Sequence, residues 1–292
     1  MSKSRWPWIL LVSFVLMVSA FLFLSGIVML ALSGDDSRSG DIVVVELKGQ
    51  IVDTQETVRE LEELAEDKDV KAVVMRINSP GGLVSPSQEL YQALLRLREQ
   101  KPVIASLGSV AASGGYYVAC GAQKIVANPG SITGSIGVRM DHVNMERLIE
   151  LTRVEPQVLT SGRYKDLGSP LRPLRPDEEL LLRNIIQSLY DQFKQTVGKE
   201  RKLEGSKLDQ VSDGRVFTGT EALAKGLVDQ LGGLHDAVEL AAELAGISGK
   251  PDVSYPRSKR GHWIDLVFEE ASESLLRIWE EKQSTPRALW QL

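Results

Sequence analysis

The chain of 292 residues holds one cysteine, Cys120, and three histidines, His142, His235 and His262. A single cysteine excludes an intrachain disulfide and a thiolate metal cluster, and no pair of the histidines has metal-ligand spacing. Cys120 follows Val118 and Ala119 and reads as a small core residue. A Gly-x-x-x-x-Gly-Lys-Ser/Thr phosphate loop is absent too, so no metal or nucleotide cofactor is expected. With net charge −5 and a pI near 5.5, the chain lacks the basic surface that nucleic acid requires. Internal repeats of solenoid period and low-complexity tracts are missing as well.

Charge is also absent from Trp6 to Leu32. As a helix rising about 1.5 Å per residue this run covers about 40 Å, enough to cross roughly 30 Å of hydrocarbon with some tilt. Lys3 and Arg5 precede it and Asp35 and Asp36 follow, so the positive-inside bias places residues 1–5 in the cytoplasm and everything after the span outside it. A cleaved signal peptide is the competing reading, since Ala31-Leu32-Ser33 resembles a cleavage site. The apolar run is about twice the usual h-region, which favours a retained anchor over residues 6–32. Residues 33–40 form a short polar linker that keeps the next domain close to the bilayer.

What remains is ordinary globular material, 43% hydrophobic and 25% charged. Apolar strand-like runs at 42–47, 72–77, 102–107, 124–127 and 157–160 alternate with amphipathic helical runs at 54–66, 85–100, 113–121 and 144–151. That alternation predicts an α/β fold of βα repeats around a mostly parallel sheet. Gly108 is read as a sharp bend ending the third strand. A long helix is expected over 177–198 with Leu180, Leu181, Ile185, Leu189 and Phe193 on one stripe, and a brief strand at Leu227-Val228. The expected domain spans 41–247. Residues 248–292 form a polar segment and an acidic amphipathic helix over 263–283, read as docking on another subunit or partner.

The chemistry concentrates in two glycine-rich runs. Ser113 lies in Gly-Ser-Val-Ala-Ala-Ser113-Gly-Gly-Tyr-Tyr, where a strand gives way to a short helix. A serine hydroxyl needs a group to take its proton. Lys165, in Ser-Gly-Arg-Tyr-Lys165-Asp, is the candidate base, acting only when neutral, which its reference pKa of roughly 10.4 makes a demand on the site. Ser135, in Gly-Ser-Ile-Thr-Gly-Ser135-Ile-Gly, is a candidate to hold that amine. Arg76-Ile-Asn-Ser-Pro-Gly81-Gly82 ends another strand, and Gly82 and Gly114 are the candidate oxyanion donors. Ile132, Ile136 and Val138 are candidate walls of a substrate groove, with buried core the commoner role for each. A serine–histidine arrangement stays open from sequence separation, His142 being the rival base, while His235 and His262 read as surface or capping residues.

The segments RINSPGG, GSVAASGGYYVAC, NPGSITGSIGV and SGRYKDLGSP, in that order, resemble the signal peptide peptidase A (protease IV) family over Asp41 to Gly246. The resemblance implies a fold similar to the Clp protease and crotonase group and a serine endopeptidase that degrades remnant signal peptides. By position it makes Ser113 the nucleophile, Lys165 the general base, Ser135 the residue steadying the lysine, and Gly82 and Gly114 the oxyanion donors. It implies apolar peptide substrates at the membrane. Only one of the two halves of the family's long forms is present, so the resemblance implies a ring of subunits, an octamer, sharing active-site parts. The alternatives are a crotonase-like acyl-thioester enzyme and a catalytically silent membrane scaffold.

Overall fold

The structure, a computed structural model, describes residues 14–23, 25 and 40–255. The described residues fall into two units, one within residues 1–39 and one within residues 40–292. In the first, residues 14–23 are helical, with Phe14, Leu16, Phe21 and Phe23 exposed. Among the described residues no helix is long and apolar enough to cross a membrane. The rest of the expected 6–32 span and the expected helix over 263–283 lie outside the described residues.

The second unit is built on short runs of β-branched and small apolar residues. β1 (Ile42–Lys48), β2 (Ala72–Ser79) and β3 (Val103–Ala112) pair in parallel at its centre. Both faces of these strands are apolar, as a parallel sheet covered on both sides requires. Val43, Val45, Val73, Met75, Val103 and Ala105 point to one side. There they meet Leu61 and Leu64 of α1 (Gln55–Glu66), Leu90, Leu94 and Leu97 of α2 (Val84–Arg98), and α3 (Gly114–Ala119). The intervening Ile42, Val44, Val74 and Ile104 point to the other side. Each fully buried valine or isoleucine contributes about 1.5–3 kcal/mol of transfer free energy.

The far edge of β3 is shared. Its first half pairs with β4 (Lys124–Ala127) and its second half with β5 (Ile132–Gly134), both parallel. α4 (Glu146–Thr152) follows, then α5 (Pro176–Arg201) and α6 (Gly205–Asp209). β6 (Val216–Thr218) closes antiparallel on β5 and leads into α7 (Gly219–Ala224). β7 (Gln230–Leu231) pairs with β4. α8 (Leu234–Leu244) covers the second face with Ala237, Val238, Ala241 and Ala242. β8 (Val253–Ser254) adds to the outer edge of β1. The mostly parallel α/β arrangement expected from the sequence is present.

Three expectations are corrected. Gly108 does not end the third strand, because β3 continues through it to Ala112. The register of β2 against β3 shifts between Ile77 and Ser79, and a Cβ on Gly108 would stand 3.0 Å from the Asn78 Cβ. Glycine serves here for close approach, and the Asn78 side chain fills the irregularity by accepting from the Val110 N–H at 3.2 Å. Residues 157–160 form no strand, having no neighbour to pair with, and Leu159 is 97% exposed. Leu227 and Val228 are buried but irregular, the strand lying at Gln230–Leu231.

Candidate active site

β3 and β5 end side by side, with Ala112 in register with Gly134. The residue after each end is a serine. Ser113 holds φ 53° and ψ −123°, and its N–H donates to the Gly134 carbonyl at 2.8 Å. Ser135 also holds φ 53°, and its N–H donates to the Arg215 carbonyl at 2.8 Å. A positive φ is sterically costly for any residue with a Cβ, and such positions persist only when neighbours over-determine them. Among the described residues just two other non-glycine residues share it, Arg153 and Lys202. The chain thus concentrates strain where two hydroxyls emerge.

The loop after β2 closes over Ser113. Gly81, at φ 98°, lies so near that a Cβ on it would stand 2.7 Å from the Gly114 nitrogen and 2.9 Å from the Ser113 Cβ. Ser79 Oγ accepts from the Gly81 N–H at 3.1 Å, and Ile51 brackets the loop, its N–H donating to Gly81 and its carbonyl accepting from Leu83. In this bridge Gly81 and Leu83 make the bonds to Ile51, and the Gly82 N–H between them makes none. A Cβ built on Gly114 would stand 3.3 Å from the Gly82 nitrogen, so the Gly82 and Gly114 amides are neighbours. Neither donates to an acceptor among the described residues. Two unengaged main-chain donors beside a strained serine can stabilise an oxygen that gains negative charge.

Ser113, Gly114, Gly82 and Ser135 line one cleft of about 850 Å³. Tyr117, Leu83, Ser87, Leu189 and Phe193 supply its apolar and small walls. Tyr117 is fixed by ring contacts at 5.2 Å to Tyr91 and 5.0 Å to Phe193, and its hydroxyl meets Thr196 Oγ1 at 3.1 Å. Arg139 and Asp141, paired at 3.1 Å, stand at the exposed rim. Of the three groove residues proposed from sequence, Val138 lines the cleft, Ile136 is fully buried core, and Ile132 sits in β5. Tyr117, Ser87 and Leu83 carried no sequence signal of their own. Leu189 and Phe193 were visible as part of the helical stripe.

Lys165 stands elsewhere. It is exposed, in consecutive turns between α4 and α5, and is not among the residues lining the cleft. The chain before it exposes Val143, Leu148, Leu151, Val154, Val158 and Leu159. His142 has a buried Nε2 without a hydrogen-bond partner among the described residues, and it does not line the cleft. His235 is on the surface of α8, 3.2 Å from Glu239, and His262 lies outside the described residues. No group of described residues could hold a metal ion. Cys120 is buried beneath the site, where lack of solvation pushes its thiol up to about 12.

The sequence profile of Peptidase family S49 matches residues 96–248, and that of Clp protease matches residues 40–131. The chain belongs to peptidase family S49. A Synechocystis protein carrying a protease name is 45% identical over 207 residues, covering 70% of this chain and 75% of its own length. An Enterococcus faecium protein named for signal peptide peptidase SppA is 31% identical over 275 residues, covering 85% of this chain and 80% of its own length. Protease 4 of Salmonella typhi is 36% identical over 216 residues, 70% of this chain but 35% of that protein. The family makes the chain a serine protease of the SppA group, and the Clp protease match agrees with the mostly parallel sheet.

Proposed function

We propose that the chain is a membrane-anchored serine endopeptidase in which Ser113 attacks the peptide carbonyl and Lys165 takes its proton. The observation that carries this reading is the strained Ser113 facing the unengaged Gly82 and Gly114 amides inside the cleft. The carbonyl oxygen of a bound peptide becomes negative as Ser113 adds, and those two amides receive it. Ser135, at the neighbouring strand end, holds the lysine amine by its hydroxyl. The protonated lysine then delivers its proton to the leaving nitrogen, and water repeats the sequence to release the acyl group.

Lys165 reaches Ser113 from a neighbouring protomer in a ring, an octamer. What supports this is its exposure, its absence from its own chain's cleft, and the apolar side chains bared along 143–159, which a second copy would cover. The substrates are apolar peptides with small residues, signal peptide remnants, lying extended between Leu83, Tyr117 and Phe193. The uncharged run 6–32 anchors the enzyme in the membrane, in keeping with the exposed apolar helix at 14–23.

Complementation tests the arrangement. Ser113→Ala and Lys165→Ala are each inactive alone on an apolar fluorogenic peptide, and co-expression restores activity, because one variant supplies the lysine and the other the serine. Silence of the mixture would place both groups in one chain. Full activity of either single variant would remove the dyad.

A further inference from the structure

The turns that carry Lys165 contribute nothing to either apolar core cluster, yet they are tied down by one buried carboxylate. Glu178, in the first turn of α5, has a side chain with 0% exposure. Its Oε2 accepts from Arg172 Nη1 at 2.7 Å and from the Arg175 backbone N–H at 2.9 Å. Its Oε1 accepts from Arg172 Nη2 at 2.7 Å and lies 2.5 Å from Arg175 Nη2. The two arginines then reach back along the chain to both flanks of Lys165. Arg172 Nε donates to Asp166 Oδ2 at 2.9 Å, and Arg175 Nη2 donates to the Arg163 carbonyl at 2.6 Å. Arg163 in turn pairs with Asp177 at 2.8 Å.

Burying a carboxylate is costly before its partners are counted, and an apolar residue of similar size stabilises a fold as well or better. What a forked, two-arginine arrangement supplies in addition is direction, since bidentate guanidinium–carboxylate pairs fix geometry. Here the fixed object is the turn from Arg163 to Asp166, with Lys165 inside it. Turn hydrogen bonds complete the frame, Lys165 N–H to the Gly162 carbonyl at 3.1 Å and Leu167 N–H to the Tyr164 carbonyl at 3.1 Å.

We infer that Glu178 is a positioning residue for Lys165, acting through Arg172 and Arg175 to set the aim of the lysine amine toward the serine it activates. This rests on the reading of Lys165 as the general base. A displacement of about 1 Å in such a group costs on the order of 100-fold in rate.

The test is a double-variant cycle on the full-length protein, reading kcat and KM on an apolar fluorogenic peptide and the rate of serine labelling by a fluorophosphonate. Glu178→Gln is expected to lower kcat and the labelling rate roughly 10- to 100-fold while KM stays within about twofold. In a Lys165→Ala background the same substitution is expected to change the labelling rate less than twofold, because its target is gone. Equal loss in both backgrounds, or wild-type kcat for Glu178→Gln, would overturn the inference while leaving the lysine as base. A fully active Lys165→Ala would instead remove the reading beneath it. Where Glu178→Gln fails to fold, Asp166→Asn carries the same cycle, since Asp166 is the link between Arg172 and the lysine turn.

Discussion

Ser113 and Ser135 each follow the last residue of neighbouring parallel strands, and both hold φ 53°. The pairing of Ala112 with Gly134 therefore delivers two hydroxyls to one cleft from positions 22 residues apart in register. Ser113→Ala is expected to abolish fluorophosphonate labelling, and Ser135→Ala to lower kcat about 10- to 100-fold with labelling slowed but present. Mass mapping of the labelled peptide checks both, and a label on any other serine would contradict the assignment.

Activity is expected to rise with pH and to go on rising past pH 8, where a histidine with its reference pKa of roughly 6.5 would already have levelled off. A kcat/KM profile flat above about pH 7 would favour His142 as base over Lys165.

Gly81→Ala is expected to cost about 1–3 kcal/mol in stability and to lower activity by more than 100-fold. The new methyl group would stand 2.7 Å from the Gly114 nitrogen and 2.9 Å from the Ser113 Cβ, neither of which can yield without moving the nucleophile. Thermal unfolding and steady-state kinetics separate the two effects. Near-normal kcat would mean that the loop can retreat from Ser113.

Cys120 is expected to resist alkylation in the folded protein at pH 8, because burial pushes its thiol up to about 12 and leaves almost no thiolate. Iodoacetamide should label it only as denaturant unfolds the domain. Rapid labelling under native conditions would show that α3 opens locally.

Acid should loosen the lysine-bearing turns. The arginine contacts hold the Glu178 carboxyl down at about 2, from an ordinary 4.5. A lowered folded-state value stabilises the fold above the ordinary value, and this contribution fades as pH falls from about 4.5 toward about 2. Hydrogen exchange over 163–178, corrected for intrinsic rates, should rise in that window, and Glu178→Gln should shrink the step to what the Asp177 carboxylate, also lowered beside Arg163, supplies.

The central strands were legible because both faces of a covered parallel strand are apolar, so runs such as Ile42–Val45 and Val73–Met75 stand out. β5, β6 and β8 were missed, having three, three and two residues, too few for any period to show. The stretch at 157–160 has strand-like residues but no partner, and pairing is a tertiary property. Ser113, Gly114 and Gly82 were legible as glycine-rich punctuation after two expected strands, whereas Ser135 was named only from its Gly-Ser-rich run and the resemblance, its strand having gone unseen. Of the cleft walls Val138 was named from the sequence, but the meeting of Ser87, Tyr117 and Phe193 was not, since they come from three helices whose convergence no local pattern encodes. Glu178 carried no reading of its own in the sequence, because its arginine partners are set by how the turns fold back.

The forked edge of β3 has a consequence for how the protein fails. β4 continues the main sheet, whereas β5 and β6 form a tab of two three-residue strands that carries Ser135 and accepts the Ser113 N–H. So short a tab is held by its buried side chains rather than by its ladder, Thr133 Oγ1 donating to the Ala111 carbonyl at 2.7 Å and Phe217 lying in the core. Emptying that packing with Phe217→Ala should therefore silence hydrolysis while the helices stay intact, the two serines having lost their alignment inside a folded domain.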